Sequence, residues 1–345
     1  MNRTNFLHIN LMIVLIAGMI TGCSDRQEMT AFSGKIMTVT GPLHPDSMGT
    51  ALVHEHLLVD FIGADSVSRD RYERSEVFDK TLPFLQDLNH LGGQTLVECT
   101  PRYLGRDPVL LKQLSEASSV QILTNTGYYG ARQEAYIPAH AYEESPVQIS
   151  GRWLDEWRKG IGDTGIKPGF IKIGVDDGPL TEMQRKIVQA AAKTHLESGL
   201  TIAGHSGDGA AAVEELEILK TEGVHPSAFI WVHAQNESDT TLHLQAARGG
   251  AWVEFDGIGP GSVDRHVELV DMMRRNGYLH RVLISHDAGW YEVGEPAGGS
   301  FRPYDTIFTE FLPALTKTGF SENEIDTLLR INPKQAFAIQ VRALK

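Results

Sequence analysis
From residue 51 onward, short apolar runs rich in β-branched and aromatic residues alternate with helical stretches, eight times over. The strand candidates are Ala51–Phe61, Gln94–Thr100, Val120–Tyr129, Gly169–Val175, Leu200–Ser206, Ala228–Ala234, Ala251–Gly257 and Arg281–Asp287. Between them lie helical patterns such as Thr181–Ser198 and Asp264–Asn276. Thr181 with Gln184, and Ser321 with Glu324, have the capping-box spacing that starts a helix. Eight such repeats call for parallel strands with crossover helices, and closing them gives an α/β fold of the (β/α)8 TIM-barrel type. A doubly wound open sheet is the alternative, but no G-x-G-x-x-G phosphate loop follows the first or second strand. Residues 33–345 read as one domain without a linker-like break, with the longest insertions at about 62–93 and 130–168.

The first 32 residues read as an address. Arg3 is followed by an unbroken apolar run, Leu11 to Ile20. That run is too short for a bilayer span, which takes about 20 residues, and it suits a signal-peptide core. Ile20-Thr21-Gly22-Cys23 resembles a bacterial lipobox. Residues 1–22 are therefore expected to be a lipoprotein signal peptide and residues 23–32 a tether. Cys23 would carry the lipid that anchors the protein to a membrane, facing the periplasm or the cell exterior. The second cysteine, Cys99, is a bystander. With 31 Lys+Arg against 44 Asp+Glu the net charge is −13, which excludes a nucleic-acid partner.

Histidine is abundant, at 14 residues, and several stand where strands end. In Leu52-Val53-His54-Glu55-His56 side chains alternate, so His54 and His56 share one face and Glu55 points the other way. Lys172 sits mid-strand in Phe170-Ile171-Lys172-Ile173, where an unpaired ammonium is costly. Two solutions are open: a core salt bridge, or reaction of the neutral amine with CO2 to give a carbamate that bridges two metals. His205, His233 and Asp287 end three further strands, and polar residues at strand C-termini converge on the catalytic face of such barrels. Together these residues point to a binuclear metal site. His286 should face away from the barrel interior, and His44, His90, His195 and His280 are expected at the surface.

Taken in order, Val53-His54-Glu55-His56-Leu57, Cys99-Thr100-Pro101, Thr126-Gly127-Tyr128-Tyr129, Gly169-Phe170-Ile171-Lys172-Ile173, Gly204-His205, Val232-His233 and Ile284-Ser285-His286-Asp287 resemble the phosphotriesterase-related branch of the amidohydrolase superfamily. The likeness covers roughly residues 33–342. It implies two divalent metal ions, usually Zn2+. His54, His56 and Asp287 would hold the buried ion, and His205 and His233 the more exposed one. Lys172, carboxylated, would bridge both. It further implies a bridging hydroxide that attacks the carbonyl of a small-molecule substrate, with Asp287 as proton acceptor. Tyr129 would orient the carbonyl oxygen, and members are often homodimers.

The leading expectation is a lactonase or carboxylesterase; a phosphotriesterase and an N-acyl amide hydrolase are the alternatives with the same site. An alternative of another class is a non-catalytic, lipid-anchored binding protein. Relatives that cleave long-chain acyl-homoserine lactones carry an Arg after the Asp that ends strand seven, where Asp256 is here followed by Gly257. The segment Ala288–Pro303 is short for a lid, and Trp290, Tyr291 and Arg302 on it are equally placed to line the pocket or the surface. Tyr128 should pack outward on a helix, and Arg106 and Asp107 should brace the barrel rim.

Overall fold
The computed structural model describes residues 31–345. A hairpin of β1 (Ile36–Thr38) and β2 (Gly41–Leu43) comes first. The parallel strands that follow are β3 (Ala51–Val59), β4 (Thr95–Glu98), β5 (Gln121–Leu123), β6 (Asn125–Thr126), β7 (Phe170–Val175), β8 (Ile202–Ser206), β9 (Phe229–Val232), β10 (Trp252–Phe255) and β11 (Val282–Ile284). β5 and β6 are two halves of one barrel strand broken at Thr124; β5 pairs with β4 and β6 with β7. Eight strands therefore stand in the expected order, and the fold is a (β/α)8 barrel. Closure runs from β11 to β3, where Asp287 donates its amide to the His54 carbonyl (3.0 Å) and His56 to that of Ala288 (2.9 Å). Glu55, facing outward as its strand position requires, rivets this seam. Its carboxylate accepts from Ser285 Oγ (2.8 Å), His286 Nδ1 (2.7 Å) and the Ala288 amide (2.8 Å).

Besides the hairpin strands β1 and β2, the sequence reading missed β12 (Gly289–Glu292), which pairs with β3 in parallel at Gly289↔His56. A four-residue run opened by glycine is too short to show period-two alternation. Gly289 is required there, because its φ is 95° and a Cβ would fall 1.8 Å from the His56 carbonyl oxygen. The segment after the eighth strand is thus a bound strand and turn, more ordered than a bare loop.

The crossover helices cover the outer face of the strands. Residues Glu182–Ser198 and Val263–Arg275 are helical close to the expected limits, and the capping boxes at Thr181/Gln184 and Ser321/Glu324 form, with a third at Ser145/Gln148. The inside of the barrel holds its own apolar cluster, with Val53, Val97, Leu123, Ala203, Ile230 and Leu283 among its members. Ile36, Met48, Ala336 and Phe337 join that cluster from the N-terminal ends of the strands and stop the barrel like a plug. Polar side chains are left to the opposite, C-terminal end, which is where the site forms.

The signal peptide, Cys23 and the tether as far as residue 30 lie outside the described residues, and Phe32 at the tether's end packs edge-on to Trp157 at 5.6 Å. His195 is a correction: it is fully buried, not at the surface. Its Nδ1 donates to the Leu200 carbonyl (2.8 Å) and its Nε2 accepts the Arg342 amide (2.9 Å). It falls on the apolar face of its helix, four residues after Ala191 and eight after Ile187, a spacing that puts all three on one side.

Candidate metal centre
The C-terminal ends of the strands enclose a cavity of about 440 Å³, and every residue anticipated as a site residue lines it: His54, His56, Tyr129, Lys172, His205, His233 and Asp287. β3 delivers His54 and His56 to one face, with ring centroids 5.4 Å apart. The Asp287 carboxylate Oδ1 lies 3.2 Å from His56 Nε2 and 3.8 Å from His54 Nε2. The rings of His205 and His233 are 4.4 Å apart on the other side, and His233 is 5.0 Å from His54.

Behind these imidazoles stand acceptors that fix their tautomers. His54 Nδ1 donates to Glu254 (2.9 Å) and lies 3.2 Å from Asp256; His233 Nδ1 meets Asp256 at 2.6 Å. Asp256 also accepts the His233 amide (2.9 Å) and the Gln235 side chain (2.8 Å). His56 Nδ1 meets Thr100 Oγ1 at 2.8 Å. With their Nδ1 atoms spent, His54, His56 and His233 offer Nε2 to the cavity, the arrangement by which metal-binding imidazoles are oriented. A second tight cluster, His54, His233 and Asp256, also exists, but it is the Nδ1 side of the same rings and is already joined by these hydrogen bonds.

Burial opposes charge throughout the centre. It pushes His54 down to about 4 and His205 well below its ordinary value. At His233 burial acts the same way, but Asp256 outweighs it and the net shift is upward. Asp287 is pulled two ways: burial raises it, while His56, His54 and His233 hold it below the ordinary carboxylate value. Burial and the neighbouring Asp256 charge push Glu254 well up.

Two atoms decide whether the donor set suits a metal. Lys172 Nζ and Asp287 Oδ1 are both buried without a hydrogen-bond partner. Lys172 has no carboxylate within salt-bridge distance among the described residues, so the core salt bridge is not formed. An orphaned ammonium and an orphaned carboxylate oxygen, facing three imidazole Nε2 atoms, are costly unless a cation and its counter-ligand complete the set. Nitrogen and oxygen donors of this kind suit zinc and similar first-row ions. His233 and Asp287 also hold left-handed backbone angles, φ 63° and 52°, at a cost of about 1–3 kcal/mol each. Such strain at two strand ends is how each side chain is turned into the cavity.

The sequence model of the Phosphotriesterase family matches residues 34–337. This chain belongs to the phosphotriesterase family. It is 30% identical over 296 residues to a phosphotriesterase homology protein of Escherichia coli strain K12, covering 85% of this chain and 99% of that one. An N-acetyltaurine hydrolase of Rattus norvegicus is 27% identical, over 89% of this chain and 99% of the relative. Among solved structures, an organophosphorus hydrolase from Deinococcus radiodurans superposes with a TM-score of 0.80 at 26% identity, over 88% and 97% of the two chains. The protein is a metal-dependent hydrolase acting on small molecules.

Other expectations for this family member meet the geometry as follows. The Tyr129 hydroxyl lies 3.2 Å from both ring nitrogens of His205, and burial raises its pKa. Tyr128 turns outward, edge-on to Trp153 and hydrogen-bonded to His140. His286 faces Glu55, away from the cavity. Trp290 lines the cavity, whereas Tyr291 does not; Arg302 donates to the Asp287 carbonyl. Arg106 pairs with Glu156 (2.7 Å) and Asp107 with Arg74 (2.7 Å), bracing the rim. The sequence reading missed Glu254, Thr100 and the role of Asp256. A signal existed: Glu254 and Asp256 alternate inward around Phe255, in a strand buried on both faces, as His54 and His56 do on theirs.

Proposed function
We propose that this enzyme binds two divalent metal ions, most simply zinc, and hydrolyses a small lactone or carboxylic ester. His54, His56 and Asp287 would hold one ion and His205 and His233 the other, and Lys172, carboxylated on Nζ, would serve both. When bound, the pair supplies a Lewis acid and a water of lowered pKa. The Asp287 carboxylate would accept the nucleophile's proton and return it to the leaving group. Tyr129 donates its hydroxyl hydrogen bond to the substrate carbonyl oxygen and holds it beside His205. Glu254 and Asp256 keep His54 and His233 in the tautomer that presents Nε2. The observation that carries the reading is the orphaned pair, Lys172 Nζ and Asp287 Oδ1, facing the cavity.

The cavity's volume, about 440 Å³, and Gly257 in place of an arginine support a small substrate over a long-chain one. The N-acyl amide reading draws support from the relatives named N-acetyltaurine hydrolase, and the phosphotriester reading from an aryldialkylphosphatase of Saccharolobus solfataricus at 26% identity. The family is enzymatic, which leaves a binding-only role without support. A panel of ester, lactone, N-acyl and phosphotriester compounds, run beside metal analysis, tests the reading. Wild type should hold about two ions per chain and Lys172→Ala no more than one, with turnover lost. A Lys172→Ala protein that keeps both ions and its rate would overturn it. We also propose the lipid anchor at Cys23, tested by mass spectrometry of the N-terminal fragment, and a homodimer, tested by light scattering.

A further inference from the structure
We propose that Arg132 is an anion receptor at the mouth of the cavity, so that the substrate is a small acyl compound carrying a carboxylate-type anion a few bonds from the scissile carbonyl. The proposal rests on the hydrolase reading above and narrows its substrate class.

Arg132, Gln133 and Glu134 take φ values of 56°, 58° and 63°, three successive non-glycine residues in the left-handed region, which L-residues rarely enter even singly. The turn is clamped in place. Asp176 accepts the amides of Arg132 (2.7 Å) and Gln133 (3.1 Å), and Glu134 accepts from Tyr142 (3.0 Å) and Thr181 (2.5 Å). Of the three side chains only that of Arg132 lines the cavity. Strain over-determined by its surroundings at a pocket mouth is a functional signature, and here its product is the placement of one guanidinium.

That guanidinium lies 4.8 Å above the Phe61 ring, Phe61 lies 5.5 Å from Trp290, and Trp290 lies 5.1 Å from His56. An aromatic wall therefore runs from the cation to the metal centre. A guanidinium held over an aromatic ring still has N–H donors to offer a planar oxyanion. Among the described residues, Arg132 has no carboxylate partner for its side chain and is exposed to the cavity mouth. Asp176 is spent on the two amides and on Gln184 (3.0 Å). Asp177 lines the same rim with an unopposed negative charge, which disfavours an anion beside it and would instead hold an ammonium. Asp176 lines the rim too, so one cation and two carboxylates stand there; the cation is the one set on the strained, clamped turn and held over Phe61.

Three matched probes test this on the metal-loaded protein by calorimetric titration: N-acetyl-β-alanine, its neutral amide, and N-acetylethylenediamine. Wild type should bind the carboxylate in preference to the amide and the ammonium. Arg132→Gly, which suits the left-handed turn and removes only the side chain, should cut the carboxylate-to-amide preference about tenfold. Arg132→Lys should restore part of it. A wild-type preference for the amide or the ammonium, or a preference unmoved in Arg132→Gly, overturns the proposal. Loss of turnover on the whole substrate panel with the binding preference intact would instead sink the hydrolase reading and leave Arg132 as a receptor.

Discussion
At the scale of single residues, the centre is organised by what stands behind the ligating atoms. Asp256 accepts from His233 Nδ1 and lies 3.2 Å from His54 Nδ1, whose hydrogen bond goes to Glu254, so this pair of carboxyl groups sets both tautomers. Asp256→Asn keeps the shape but offers a donor where an acceptor is needed. We expect metal affinity to fall roughly 10–100-fold with the fold retained, read by competition with a chelator and by circular dichroism. The candidate ligands themselves were legible in the sequence, because a lysine and inward-facing histidines inside otherwise apolar strands break the burial rule. The role of Asp256 was not, since it depends on the register of β10 against β9 and on β10 facing β3 inside the barrel. Arg132 was hidden for another reason. Residues 132–134 contain no glycine or asparagine to signal a left-handed turn, and the clamp comes from Asp176, 44 positions away in sequence.

At the scale of elements, strand order was readable and strand ends were not. The expected run Arg281–Asp287 shortens to Val282–Ile284 because the chain turns sharply at Asp287 to begin β12. The helix Glu182–Ser198 yields a pH prediction. Burial holds His195 down to about 4, against an ordinary value of 6.5. Above pH 6.5 the group is neutral whether the chain is folded or not. Between 6.5 and 4 the unfolded chain takes up a proton that the folded one refuses, so stability falls as pH falls, by about 1.4 kcal/mol per unit at most. In His195→Gln this component should vanish, flattening the decline between pH 6.5 and 4 relative to wild type in urea titrations. Equal slopes for the two proteins would show that the imidazole does not carry the effect.

At the scale of the whole molecule, the barrel has one open end and one stopped end. Phe337 lies in the stopper, 1% exposed and edge-on to Phe170 at 5.6 Å. Phe337→Ala leaves a void that β-strand backbones cannot close, and should cost about 3–5 kcal/mol, seen as a lower Tm. Metal content should stay at the wild-type level, because the apolar cluster inside the barrel separates the stopper from the centre. A variant with normal Tm and depleted metal would contradict this division of labour. The same stopped end gives the molecule a back and a front. Phe32 packs on Trp157, and Gly34 donates to the Ile339 carbonyl, so the first described residues leave from the back. The mouth lies at the opposite end, so the described residues nearest the N-terminus pack away from the cavity and leave its rim clear.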